Sequence, residues 1–275
     1  MSDSIDTDLP IGIFDSGVGG LTVLKAIRAE LPNENLVYLG DTARLPYGTK
    51  SPLSIARYAT QAAAKLKEQG IKLLVVACNT ASAVALDALR EQMSPLTVIG
   101  VVEPGAEAAV MARPGGSHLV LATEATVRLG AYRKALEALD PAATVRESAC
   151  ELLVALAEEG WTDGQIASAI IERYLAEASE SAFRADTIIL GCTHFPLLKE
   201  AIQAVAAGDV LIVDSASTTA AVVSRALASA GLRANRDKEG GLKFLATDGA
   251  TRFARVGGQF LGQPLHYSDI EIVDL

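Results

Sequence analysis

The strongest constraint on this chain is a rhythm of short, continuous apolar runs, each closed by small residues and followed by an amphipathic stretch. Residues 11–14, 35–39, 73–77, 98–102, 118–122, 187–190, 210–213 and 242–245 are such runs, and residues 21–31 and 54–69 carry helical spacing between them. Runs of Val, Ile and Leu without polar alternation suit strands covered on both faces, as in parallel sheets flanked by helices. The pattern predicts an α/β fold.

Open α/β sheets bind ligands beyond the carboxyl ends of their strands. The polar residues that follow the runs are therefore the candidates: Asp15-Ser16, Asp41-Thr42, Cys78-Asn79-Thr80, Glu103, Thr123-Glu124, Cys192-Thr193-His194 and Asp214-Ser215. Some of these serve as helix N-caps, a position that Ser, Thr, Asp and Asn favour.

One internal repeat stands out. Val75-Val76-Ala77-Cys78-Asn79-Thr80-Ala81 resembles Ile189-Leu190-Gly191-Cys192-Thr193-His194-Phe195, and residues 13–16 resemble 121–124 at nearly the same offset. Two pseudosymmetric α/β domains with open parallel sheets are expected, each presenting one cysteine at a strand tip, with the active site between them. The first takes residues 1–102 and 214–275, with Asp15 and Cys78. The second takes residues 103–213, with Cys192 and His194.

Composition narrows the function classes. Lys and Arg number 24 against 33 Asp and Glu, a net charge of −9. That balance argues against a nucleic-acid partner and against an anionic membrane surface. Residues 1–10, MSDSIDTDLP, lack the basic start and apolar stretch of a signal peptide, and no run approaches 18 apolar residues. Cys78, Cys150 and Cys192 lie far apart and cannot all pair, so a reducing, cytoplasmic setting is expected.

Several motifs fail on inspection. The glycines of Asp15-Ser16-Gly17-Val18-Gly19-Gly20 would need a further Gly at position 22 to form a dinucleotide fingerprint, and Thr22 stands there. Gly48-Thr49-Lys50-Ser51 lacks the Gly-Lys adjacency of a phosphate loop. The stretch from Gly17 to Gly20 is read instead as close backbone approach to a ligand carboxylate at a helix N-terminus. His118, His194 and His266 are scattered, so no metal site is expected.

The cysteines carry the chemical argument. Cys150 reads as a small buried core residue. Cys78 and Cys192 both sit at strand-to-helix junctions, where a helix N-terminus favours thiolate and Asp15 or His194 can exchange its proton. A single activated cysteine with His194 would suit a Cys–His hydrolase. Two in matching positions suit an opposed acid–base pair, one removing a proton from a carbon and the other returning one to the opposite face. A non-enzymatic amino-acid sensor is a further alternative on the same scaffold.

The segments Asp15 to Gly20, Pro46-Tyr47-Gly48, Cys78 to Ala81 and Gly191-Cys192-Thr193-His194-Phe195-Pro196 resemble, in the same order, those of the glutamate racemases. The resemblance implies interconversion of L- and D-glutamate without a cofactor, the D-enantiomer supplying peptidoglycan synthesis. It implies that Cys78 takes the α-proton of D-glutamate, assisted by Asp15, and Cys192 that of L-glutamate, assisted by His194. Asp15, Ser16, Pro46, Tyr47, Gly48, Asn79, Thr80, Thr123, Thr126, Thr193 and His194 would hold the substrate. Many members carry prolines after the cysteine matching Cys150, followed by an acid that helps the second cysteine. This chain lacks those prolines; Glu158 is the match to that acid, and a one-residue slip would select Glu159. Aspartate or another small acid is the alternative substrate, and a homodimer is the default assembly.

Overall fold

The computed structural model describes residues 6–179, 183–206 and 208–275, so the first five residues of the N-terminal stretch read above lie outside the described residues. All eight apolar runs form strands. They are β1 (Ile11–Asp15), β2 (Leu36–Gly40), β3 (Leu73–Val76), β4 (Thr97–Gly100), β5 (Ser117–Ala122), β7 (Thr187–Gly191), β8 (Leu211–Asp214) and β9 (Leu242–Ala246). Two further strands, β6 (Thr144–Ala149) and β10 (Ile270–Ile272), had no apolar run to announce them. Both lie at sheet edges, where one side of the strand is open.

The strands form two sheets in which every pairing is parallel. One runs β10-β9-β2-β1-β3-β4 and the other β6-β5-β7-β8. The fold is α/β with two sheets, as the rhythm predicts. The chain completes β1 to β4, crosses on α4 (Val102–Ala112) and builds the whole second sheet. It returns on α10 (Ser215–Ala230) to add β9 and β10.

In each sheet the connections diverge from a central strand. From β1 the chain goes to β2 on one side and β3 on the other; from β5 it goes to β6 on one side and β7 on the other. Such switch points open a crevice at the carboxyl ends. One crevice lies between the tips of β1 and β3, at Asp15 and Cys78. The other lies between the tips of β5 and β7, at Thr123 and Cys192.

The helices after these tips are fixed by local chemistry. On α1 (Leu21–Glu30), Leu21, Leu24 and Ile27 are fully buried at helical spacing. Burying each contributes about 1.5–3 kcal/mol. Helix α3 (Asn79–Met93) is capped by Cys78 itself, whose Sγ accepts from the Ala81 N–H at 3.4 Å. Among the described residues no helix is long and apolar enough to cross a membrane.

Candidate active site

Ser16, Pro46, Tyr47, Gly48, Cys78, Asn79, Thr80, Thr123, Glu158, Cys192, Thr193 and His194 line one cavity of about 320 Å³. It lies between the carboxyl ends of the two sheets. Leu45, Thr49, Glu151, Val154 and Ala155 complete it without having been singled out in the sequence. Two expected residues stand behind the lining. Asp15 is buried, its Oδ2 accepting from the Gly17 N–H at 2.9 Å, and Oδ1 is buried without a hydrogen-bond partner among the described residues. Thr126 is buried, its hydroxyl 3.3 Å from that of Thr80 and 3.1 Å from that of Thr123.

On the Cys78 side burial dominates. Burial, followed by the nearby Asp15 charge, pushes the Cys78 thiol up to about 12, against hydrogen bonds to Ser16 and the Ala81 N–H. The helix terminus alone would favour thiolate, but desolvation outweighs it, so the resting group is a thiol. Its Sγ donates to Ser16 Oγ at 3.5 Å. Burial also raises the Asp15 carboxyl, although His194 and the N–H groups of Gly20, Gly17 and Ser16 pull it down.

The Cys192 side is charged. His194 Nδ1 lies 3.8 Å from Cys192 Sγ, and Nε2 lies 3.2 Å from Glu158 Oε1. Burial works against the imidazolium, but hydrogen bonds to Cys192 and Glu158 outweigh it and raise His194 to about 10. The His194 hydrogen bond is the main reason the Glu158 carboxyl is held low, against its own desolvation. Glu158 sits on α7 (Glu151–Glu159), facing the cavity, whereas Glu159 is exposed at the end of that helix. Cys150 is fully buried at the cap of α7 and is not among the lining side chains.

The two sheets meet through this site. The hydroxyls of Thr80 on α3 and Thr123 before α5 (Glu124–Leu129) are 3.1 Å apart. Asn79 Nδ2 donates to Tyr132 Oη at 2.8 Å, leaving Asn79 Oδ1 buried without a partner among the described residues. Asp41, at the tip of β2, accepts from Tyr47 Oη at 2.5 Å, Arg44 Nε at 2.7 Å and Thr247 Oγ1 at 3.0 Å. That network fixes the loop carrying Tyr47 and Gly48. Two of the glycines also allow close approach within the protein. A Cβ on Gly19 would collide with Thr193 Oγ1 and the His194 ring, and one on Gly20 with Asp15 and Ala77. At these two positions the close approach is between the facing strand tips and within β1's own crevice.

Among the described residues, no group of three or more His, Cys, Asp or Glu side chains is placed to hold a metal ion. Two cysteines at the tips of separate sheets face one cavity, Cys78 with Asp15 nearby and Cys192 with His194 3.8 Å away. The Asp/Glu/hydantoin racemase family matches residues 19–223. The chain belongs to that family. It is 48% identical over 255 residues to a glutamate racemase of Geobacter metallireducens, covering 93% of each chain. A glutamate racemase of Francisella tularensis, solved in complex with D-glutamate, superposes with a TM-score of 0.89 at 35% identity, covering 98% of each. That of Thermus thermophilus, solved with β-chloro-D-alanine, gives 0.88 at 42% identity and the same coverage. The protein is thus an isomerase by family, and its fold is that of these racemases.

Proposed function

We propose that the protein interconverts L- and D-glutamate without a cofactor, in the cytoplasm, and that the D-enantiomer feeds peptidoglycan synthesis. One observation carries the reading: Cys78 and Cys192, from the tips of different sheets, line the same cavity. The likeness to glutamate racemases over nearly the whole chain supports glutamate as the substrate. We propose likewise that the chain divides at residues 102 and 214 into two α/β units and assembles as a homodimer, which sedimentation equilibrium tests.

In the L-to-D direction Cys192, as thiolate, takes the α-proton. The electron pair left on the α-carbon delocalises into the α-carboxylate, and the Cys78 thiol gives its proton to the opposite face. The product leaves with Cys192 protonated and Cys78 ionised, and the D-to-L direction reverses every transfer. A thiol raised to about 12 at Cys78 is in the state needed to donate. In the other direction the buried Asp15 receives its proton.

An α-proton is far less acidic than a thiol, so the site must stabilise the charge that develops on the carboxylate. The N–H groups opening α3 and the hydroxyls of Ser16, Thr80, Thr123 and Thr193 are the donors assigned to the carboxylates, with the Thr126 hydroxyl behind them holding those of Thr80 and Thr123. Asn79, Pro46, Tyr47 and Gly48 shape the remainder. His194, oriented by Glu158, exchanges the proton of Cys192.

Incubation with L-glutamate in deuterated water tests the reading. Inversion followed by chiral chromatography should accompany uptake of one α-deuterium followed by mass spectrometry. Cys78→Ala and Cys192→Ala should each lower racemisation by a factor on the order of 10²–10⁴. Near-normal turnover in either variant overturns the two-cysteine mechanism. Faster turnover of L-aspartate than of L-glutamate overturns the substrate.

A further inference from the structure

We infer that Arg252 is a positioning residue for the Cys192 half of the reaction, fixing Glu158 so that Glu158 orients His194 against Cys192. The inference rests on the roles proposed above for Cys192, His194 and Glu158. Arg252 Nη2 donates to Glu158 Oε2 at 2.6 Å. The other oxygen of that carboxylate is the one that meets His194 Nε2 at 3.2 Å. A carboxylate held at both oxygens has one orientation, and the ring that it grips presents Nδ1 to Cys192. Glu158 is not buried deeply enough to be held by packing: its side chain is 22% exposed. Without Arg252, water competes for the freed oxygen and the carboxylate turns.

Arg252 belongs to α11 (Ala250–Leu261), which packs on α1 beside the six-stranded sheet. Glu158 and His194 belong to elements of the other sheet. The same helix supplies Phe260, whose ring stands edge-on to His194 at 4.9 Å between centroids. One helix of the first unit thus supports His194 twice, directly through Phe260 and indirectly through Arg252. A guanidinium stays protonated at any working pH, so Arg252 is a permanent counter-charge that takes no proton from the relay.

Because free L- and D-glutamate are mirror images of equal free energy, kcat/KM must change equally in both directions. The side on which a residue acts appears instead in the isotope effects. In Arg252→Gln, kcat/KM should fall about fivefold, the scale of a partly exposed charge pair. The isotope effect should grow with α-deuterated L-glutamate, whose proton goes to Cys192, and shrink with α-deuterated D-glutamate. Arg252→Lys should restore most of the rate and the wild-type isotope effects. The Arg252 side chain is 59% exposed, so the fold should survive, and a thermal melt checks that.

Unchanged isotope effects in Arg252→Gln overturn the inference even if the rate falls. Glu158→Gln, measured alongside, separates the two levels. If it shifts the L-side isotope effect and Arg252→Gln does not, only the role of Arg252 fails. If Glu158→Gln shifts nothing, the role proposed for Glu158 fails and takes the inference with it. Absence of racemisation in the unmodified protein overturns both.

Discussion

Thr22 Oγ1 lies 2.9 Å from the carbonyl oxygen of Thr193, so the first turn of α1 grips the backbone next to Cys192. The same hydroxyl lies 2.9 Å from the Gly19 carbonyl, and its single proton is shared between the two. Thr22 is buried, and its two acceptors stand on opposite sides of the crevice between the sheets.

Thr22→Val keeps the shape and removes that proton. It should cost about 1–2 kcal/mol of stability, because a buried carbonyl loses its donor. It should also lower kcat/KM by loosening the turn that carries Cys192 and His194. Thermal melts and racemisation rates read both effects, and Thr22→Ser should recover them; full activity in Thr22→Val would mean that the turn is held by other contacts.

Gly19→Ala introduces a methyl group into the space filled by Thr193 Oγ1 and the His194 ring. Both neighbours belong to the turn that carries Cys192. The expected cost is about 1–3 kcal/mol of overpacking, with a loss of turnover well beyond what the stability change explains. A wild-type rate in the folded variant would show that the two strand tips can separate freely.

Stability should decline on the alkaline side. Burial raises the Cys150 thiol from 9.0 to about 12. The folded state therefore favours the protonated form. That contribution is complete below pH 9 and is lost as pH rises from 9 towards 12, while the unfolded chain ionises first. The raised His194 acts in the same sense over a lower range, complete below about 6.5 and lost through about 10. Replacing Cys150 with Ala removes its part of the slope. Urea unfolding under reducing conditions should find the stability gap between wild type and Cys150→Ala narrower at pH 10.5 than at pH 7, by about 2 kcal/mol. An identical gap at both values would mean that Cys150 ionises equally well in the folded protein.

Lys72 and Glu34 form a buried ion pair at 2.5 Å, their side chains 0% and 3% exposed. Lys72 Nζ also donates to the carbonyls of Thr7 and Leu232, and Glu34 Oε1 accepts from the Ala234 N–H. Lys72→Met leaves a buried carboxylate without its counter-ion and should cost about 3–5 kcal/mol in urea unfolding. The double variant Lys72→Met/Glu34→Leu should recover part of that loss. A single variant as stable as wild type would mean that water reaches Glu34.

The buried strands were legible because a strand covered on both faces has no polar side to hide its pattern. β6 was not legible: its sequence Thr-Val-Arg-Glu-Ser-Ala carries Arg146 and Glu147 in mid-strand, as only an edge permits. The lining residues with polar side chains at strand tips were legible for a related reason, since Cys78 and Thr123 directly follow an apolar run and Cys192 follows one after Gly191. Arg252 gave no signal. It lies 94 positions from Glu158, on the outward side of a helix, and an exposed arginine in sequence looks the same whether or not a carboxylate waits across the fold. Gly19 was noticed for the right property, close approach, but its partner was unreadable because it belongs to the other half of the chain.

The order in which the chain visits its two sheets has a cost during synthesis. β2 pairs with β1 on one side and with β9 on the other, and β9 begins at residue 242. While the second sheet is being made, the Leu-Val-Tyr-Leu-Gly strand of β2 keeps one row of backbone N–H and C=O groups unpaired. Strands with such open rows recruit other chains. A chain that ends after the second sheet but before residue 242 lacks the strand that covers this edge, and residues 242–272 act as the seal on the first sheet.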